Sequence, residues 1–273
     1  MIIVKINIKN ILNYIMAKKN NQINNKLKIY ICAHKKFDKS IIPYQKDCYE
    51  IIYKDKCNNN LNDLKYFYSE LYQIYEILHN KDINKYEYIG ICHYRRFFDI
   101  TIEEIIDLMN NYDCIVSEPL QLNASIYEQY NRCFGNNFGG THIKEIGSII
   151  KHNYSDYFKT FIDVMNSNCF DKFHLCNMSI MKTENFIEYY NMIFDILNKF
   201  IEKHNWKEYK DIYEYVENNK QYIPNMSNNS IDDYFKTIEY YIRIGGHISE
   251  RLMNMYIYKN FKNIKTVPLK IIN

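Results

Sequence analysis

Two short apolar runs, each ending in a polar cluster, set the frame for what this chain can fold into. Residues 28–33 (KIYICA) lead into His34-Lys35-Lys36, and residues 86–92 (YEYIGIC) lead into His93-Tyr94-Arg95-Arg96. Runs of this length without polar alternation mark strands covered on both faces, as in a parallel sheet. Further strand candidates are 49–53, 113–116, 175–181 (LCNMSIM) and 264–271. Between them lie helical segments. Residues 69–80 place Leu71, Ile74, Ile77 and Leu78 on one face, Thr101 with Glu104 forms a capping box for a helix to Asn110, and 155–165, 184–201 and 249–258 follow the same period. Strands separated by helices, with no internal repeat, predict an α/β fold with a mainly parallel sheet. Ligands of such sheets bind at the carboxyl ends of the strands, where these polar clusters stand.

Composition sharpens the choice of residues. The 273-residue chain holds 30 Lys against 5 Arg, 28 Tyr, 7 Gly and 3 Ala, the pattern of an A+T-rich genome, so the Tyr and Asn richness carries no functional meaning. Residues from G+C-rich codons that persist in this background have a physical reason to be there. Arg95 and Arg96 are adjacent, and four of the seven glycines form the pairs Gly139-Gly140 and Gly245-Gly246. A net charge of +3 argues against a nucleic-acid partner. The eight Cys are dispersed without a C-x-x-C pair, which reads as reduced core thiols in a cytosolic protein and gives no zinc site. No stretch reaches the roughly 18 apolar residues of a transmembrane helix. Residues 1–26 read as an N-terminal extension: an added strand or helix, a mis-assigned start with translation from Met16, or a weak membrane-surface anchor. Residues 27–273 form one domain, with 204–230 expected as an insertion or mobile loop.

The chemistry concentrates in a few positions. Two adjacent arginines after a strand, beside His93, suit a diphosphate, because the guanidinium fork binds phosphate oxygens in pairs. The structural alternative is an arginine in solvent or paired with Asp99 or Glu87. There is no P-loop, no G-x-G-x-x-G, no G-x-S-x-G elbow, and no D-x-D after the central strand. Cationic side chains rather than a metal are therefore expected to neutralise a leaving diphosphate. Glu250-Arg251 follows Gly245-Gly246-His247 and opens a predicted helix, where Glu250 is a candidate general base and the glycines would let backbone approach a ligand. The other reading of Glu250 is a favourable acid at a helix N-terminus. Asn177, polar within LCNMSIM, and His34 are candidate ligand contacts, and His142 after Gly139-Gly140 is a weaker one. His79, His152, His174 and His204 read as surface residues.

Taken in order, these segments resemble a family. YIGICHYRRFF (88–98) resembles the signature of bacterial capsular and exopolysaccharide glycosyltransferases, long known only by an unknown-function label. Glu70-Leu71-Tyr72 is similar to that family's aromatic-rich helix, and residues 28–37 to its opening strand and H-K turn. The segments 112–115, 127–130, 177–181, 194–197 and 249–252 resemble its later elements, over about residues 27–260. Residues 60–65 are only loosely similar to the segment that precedes the family's E-L helix. The resemblance implies a GT-A-like nucleotide-sugar-binding fold and transfer of a sugar, galactose or galactofuranose among the family's associations, from a UDP-linked donor to a glycan or lipid-linked glycan acceptor. Within that implication His34, His93, Tyr94, Arg95, Arg96 and Asn177 bind the donor. Glu250 is the base, the arginines stabilise the leaving group, and Gly245, Gly246, His247, Arg251 and His142 support the acceptor side. No metal ligands are assigned, with Mg²⁺ or Mn²⁺ on the diphosphate as the alternative. The site of action is the cytoplasm, with peripheral association at the inner membrane face. The rival readings are a non-catalytic glycan- or nucleotide-binding module and a phosphosugar transferase.

Overall fold

The computed structural model describes residues 26–42, 46–224 and 237–272. Nearly all of the N-terminal extension lies outside these residues. Among the described residues eight strands form one sheet: β1 Leu27–Ala33, β2 Tyr49–Tyr53, β3 Tyr88–His93, β4 Arg96–Phe98, β5 Cys114–Ser117, β6 Ser179–Lys182, β7 Ile264–Val267 and β8 Leu269–Ile271. The main path runs β2-β1-β3-β6-β5-β7. β1 is parallel to β2 and β3, and β5 to β7, while β6 runs antiparallel between β3 and β5. The mainly parallel sheet expected from the apolar runs is therefore present. The antiparallel β6 brings the residues before it to the same edge as the end of β3.

Both sheet faces are covered, which is why the strand sequences lack alternation. Ile89 and Ile91 of β3 and Cys114 and Val116 of β5 pack into the larger layer, with Phe67, Leu71, Ile74 and Phe186. Tyr88, Cys92 and Ile115 face the opposite layer with Ile29, Ile31, Ile102 and Ile180. Each fully buried aliphatic side chain adds roughly 1.5–3 kcal/mol. A Cβ on Gly90 would stand 3.0 Å from Ile180 and 3.1 Å from Ile29, so glycine is what lets the three strands pack there.

The helices are α1 Lys65–Tyr68, α2 Leu71–Asn80, α3 Ile102–Met109, α4 Ile126–Phe134, α5 Gly140–Asn153, α6 Ser155–Asn166, α7 Cys169–Lys172, α8 Thr183–His204, α9 Tyr209–Asn218, α10 Ile238–Tyr241 and α11 Ile244–Asn260. Thr101 and Glu104 cap α3 reciprocally, as their spacing predicts. Ser125 and Glu128 do the same for α4, a second box that reads equally well from sequence once sought.

Four expectations change. The segment 175–181 is not all strand: Cys176 and Asn177 take left-handed backbone (φ 66° and 51°), and β6 starts at Ser179. The final strand divides into β7 and β8 around Pro268, which lacks the N–H a continuous ladder needs. α11 begins at Ile244, so Gly245 and Gly246 lie in its first turn and Glu250 lies inside it. Over 204–224 the expected loop is instead α9 and a short turn whose Ile212, Val216 and Ile223 are buried in the core. The rest of that expectation, from 225 to 230, falls outside the described residues.

Candidate active site

Four strands deliver polar groups to one edge of the sheet. Lys54 follows β2, His34 follows β1, His93 ends β3, and Cys176-Asn177 precede the antiparallel β6. His93 and Arg96 pair across a tight hairpin whose two turn residues are Tyr94 and Arg95. The H-Y-R-R segment is thus the strand end and its reversal, held against β8 by a bond from the Ile272 N–H to the Arg95 carbonyl (2.9 Å). Arg95 is exposed, with its guanidinium 5.0 Å from the Tyr94 ring centre, and Arg96 is half-buried. Tyr94 is buried, and its hydroxyl lies 3.1 Å from His34 Nε2.

The Cys176–Asn177 turn is the junction of this edge. His93 Nε2–H donates to the Cys176 carbonyl (2.7 Å), because a carbonyl can only accept. The Cys176 N–H donates to Glu250 Oε1 (2.9 Å). Asn177 Nδ2 donates to Glu70 Oε1 (2.9 Å) and to Ser249 Oγ (2.7 Å), and Ser249 in turn donates to the Gly246 carbonyl (2.7 Å). Two successive non-glycine residues in left-handed backbone cost about 1–2 kcal/mol each. The bonds they aim at two carboxylates and His93 are what offsets that cost. Asn177 is fully buried, with its amide N–H groups directed at Glu70 and Ser249. It therefore positions Glu70, in contrast to the donor contact expected of it.

Glu250 reaches the edge from α11 with a side chain 15% exposed. Its Oε2 lies 3.0 Å from Arg251 Nη1. Burial raises its pKa, against the opposing charge of Arg251. Arg251 is 2% exposed, stacked between the Tyr130 and Phe173 rings at 4.9 and 4.6 Å, and bonded to the His247 carbonyl and to Gln129. It is a buried clamp for Glu250.

Glu70, which sequence analysis used only as a helix marker, is a second carboxylate here. Ser69 takes left-handed backbone (φ 55°), and the Arg243 Nε and Nη2 donate to its Oγ at 2.9 and 2.7 Å. Arg243 Nη2 also lies 3.7 Å from Glu70 Oε2. Burial alone would push Glu70 up, yet His93, Arg243 and hydrogen bonds from Ser69 and its own backbone outweigh it and hold the pKa below the usual value. His93 itself is held low, first by burial.

The other expected residues lie elsewhere in the packing. A Cβ on Gly245 would stand 2.5 Å from the Phe67 ring, and one on Gly246 2.7 Å from Ser69 Cβ. The pair brings α11 against the Phe67 ring and the Ser69 side chain, not against a ligand as expected. His142 is fully buried, bonded to Tyr130 (3.1 Å) and Tyr215 (3.2 Å), and burial pushes it down to about 3. It is a core residue, not an acceptor-side group. His247 packs on Phe134 and Tyr240. His174, expected on the surface, is fully buried between the Ser117 carbonyl and the Tyr258 hydroxyl, and His204 pairs with Glu145 at 2.7 Å. Asp113, weighed as a strand, caps the turn at Lys262 and Asn263 at the opposite sheet edge. Among the described residues no group of three His, Cys, Asp or Glu is arranged to hold a metal.

Ser69, Lys54, Ser249 and Arg243 were not read from sequence. Arg243 carried a signal, since it is one of five arginines and stands two residues before Gly245-Gly246. The others carried none, because their role depends on which strand ends become neighbours.

Comparison with known proteins agrees with this architecture. Residues 14–217 match the profile described as "Domain of unknown function (DUF4422)", which begins inside the stretch expected as an extension. The apo structure of the bifunctional glycosyltransferase WbbM is similar at 21% identity with a TM-score of 0.59, over 91% of this chain and 46% of that one. The chain thus spans under half the length of that protein. At this identity the likeness shows the fold, mixed α/β with a mainly parallel sheet. No curated protein matches the chain. No helix among the described residues is long and apolar enough to cross a membrane.

Proposed function

The chain belongs to the DUF4422 family and is built on a glycosyltransferase fold, and from that premise we propose that it is a glycosyltransferase. The donor is a nucleotide sugar, UDP-linked, carrying galactose or galactofuranose. The acceptor is a free or lipid-linked glycan in surface-polysaccharide assembly, handled in the cytoplasm or at the inner membrane face. The observation that carries this reading is the Cys176–Asn177 turn, which fixes the Glu250 carboxylate and the His93–Arg96 hairpin to one point at the end of β3.

The chemistry follows from that arrangement. Transfer breaks the bond between the anomeric carbon and the diphosphate oxygen and forms one to the acceptor oxygen. Negative charge develops on the departing nucleoside diphosphate, and the guanidinium groups of Arg95 and Arg96 stabilise it. The acceptor hydroxyl loses its proton to Glu250, whose oxygens retain acceptor capacity beyond their bonds to Cys176 and Arg251. Burial makes Glu250 a stronger base than an exposed glutamate, and Arg251 fixes its direction. A D-x-D pair on a metal would do the arginines' work in another sequence, whereas here His93-Tyr94-Arg95 occupies that strand end.

The test is a panel of UDP-sugars offered to the full chain with glycan acceptors and read by mass spectrometry. Sugar in the product supports the reading. Binding without turnover assigns a nucleotide-binding module, and phosphorus in the product assigns a phosphosugar transferase.

A further inference from the structure

Five cations converge on the edge that holds His34. Ala33 lies level with Tyr53 of β2 and Cys32 with His93 of β3, so Lys54, His34-Lys35 and Arg95 leave three adjacent strand ends. Burial first, and then the charges of Arg95, Arg243, Lys35 and Lys54, hold the His34 imidazole below its usual pKa. Arg96 acts on His93 and Cys176 beside it. Among the described residues Lys35, Lys54, Arg95 and Arg96 form no ion pair. The nearby carboxylates do not balance this charge. Glu250 is paired with Arg251, and Glu70 faces Arg243 across 3.7 Å from a position 8% exposed. Like charges gathered at a sheet edge repel one another, and an anion between them removes that repulsion.

We propose that Lys54 and Arg243 join Arg95 and Lys35 in one anion site at the strand ends around His34, and that it takes the diphosphate of the donor. The inference rests on the nucleotide-sugar reading and extends it to residues outside the H-Y-R-R segment. Arg243 is aimed by two bonds to Ser69 Oγ, and Ser69 owes its position to the left-handed turn and to the close approach of Gly246. Ser69 and Glu70 are positioning residues for that guanidinium. Lys54 stands at the end of β2 with its ammonium 5.0 Å from the Tyr66 ring centre. Burial and then Arg243 push it down to about 8, against the opposing charge of Glu70. The cations span the ends of β2, β1 and β3. Strand spacing of about 4.8 Å makes that edge roughly 10 Å wide, the span of two linked phosphates.

Calorimetry with UDP and with inorganic pyrophosphate on the full chain tests the site. Arg243→Gln and Lys54→Met should each weaken both probes on the order of 10–100-fold, the cost of losing a charge-assisted hydrogen bond. Lys210→Met, which removes an exposed charge from α9, should leave both affinities within twofold. Arg243→Gln also removes the Ser69 bonds and is checked by circular dichroism. Lys54→Met carries no such bond and keeps the test decisive if the first variant fails to fold. UDP affinity within twofold of wild type in Lys54→Met overturns the site, as does a wild-type chain that binds neither probe. Wild-type binding, lost in these variants, without sugar transfer refutes the enzymatic reading and leaves the anion site standing. Sugar transfer with UDP affinity unchanged in the variants does the reverse.

Discussion

Replacing Asn177 by alanine and by glycine separates the two contributions that hold the site's junction. Asn177 is buried at φ 51° and donates to Glu70 Oε1 at 2.9 Å and Ser249 Oγ at 2.7 Å. Either substitution removes both bonds. Loss of a bond to a charged partner costs about 1.5–3 kcal/mol, and the neutral one about 1 kcal/mol. Alanine adds about 1–2 kcal/mol for left-handed backbone that glycine adopts freely, while the looser unfolded chain of glycine returns about 0.5–1 kcal/mol of that difference. Asn177→Ala should therefore lose about 3.5–6 kcal/mol, and Asn177→Gly about 3–5 kcal/mol. Urea unfolding with linear extrapolation resolves both values. Turnover should fall in both variants, because Glu70 and the Cys176 bonds to Glu250 and His93 share this turn. Losses below 1 kcal/mol in both variants, or alanine as stable as glycine, would refute the argument.

Three other outcomes follow from the same structure. Arg95→Ala and Arg96→Ala should each lower turnover on the order of 100–1,000-fold without unfolding the chain, with lysine rescuing only partly for want of the fork. EDTA should leave the wild-type rate unchanged, and a loss restored by Mn²⁺ would reduce the arginines to a supporting role. Glu250→Gln should lose turnover while UDP binding persists. Since burial raises the Glu250 pKa and the ionised form is the base, the wild-type rate should climb with pH through a limb above the ordinary 4.5. An acid limb that survives in Glu250→Gln would assign it to another group. Finally, burial pushes His142 to about 3 and His174 to about 4, so the unfolded chain takes up protons below 6.5 that the fold refuses. Stability present above pH 6.5 is then lost as pH falls, at about 1.4 kcal/mol per unit per histidine, or about 3 kcal/mol for the pair between pH 7.5 and 5.5. His142→Gln should reduce the measured loss by about 1.4 kcal/mol in urea melts at the two pH values, and an unchanged slope would refute it.

Local pattern was enough for the layered fold and for placing H-Y-R-R at a strand end of the candidate site. Apolar runs without alternation specified covered strands, the Thr101–Glu104 spacing specified a cap, and the arginine doublet stood at a strand end because a buried strand must stop where polar residues begin. What local pattern could not supply was the partner of each polar group. Asn177 reads as a ligand contact in an apolar segment, but two left-handed residues turn it inward to Glu70. Gly245-Gly246 read as a ligand approach, while their missing Cβ atoms are matched to Phe67 and Ser69, some 175 residues earlier in the chain. His142 and His174 carry no sequence mark of burial, and only packing decides that they are neutral core residues. Lys54 is an ordinary surface cation by sequence, and Arg243 is marked only by the scarcity of arginine. Their place in the proposed anion site comes from β2 lying beside β1 and from the start of α11 folding back onto Ser69. Backbone period is a property of neighbouring residues, so the sequence determined the strands and helices. Charge balance is a property of neighbours in space, so only the tertiary structure decided which side chains make the site.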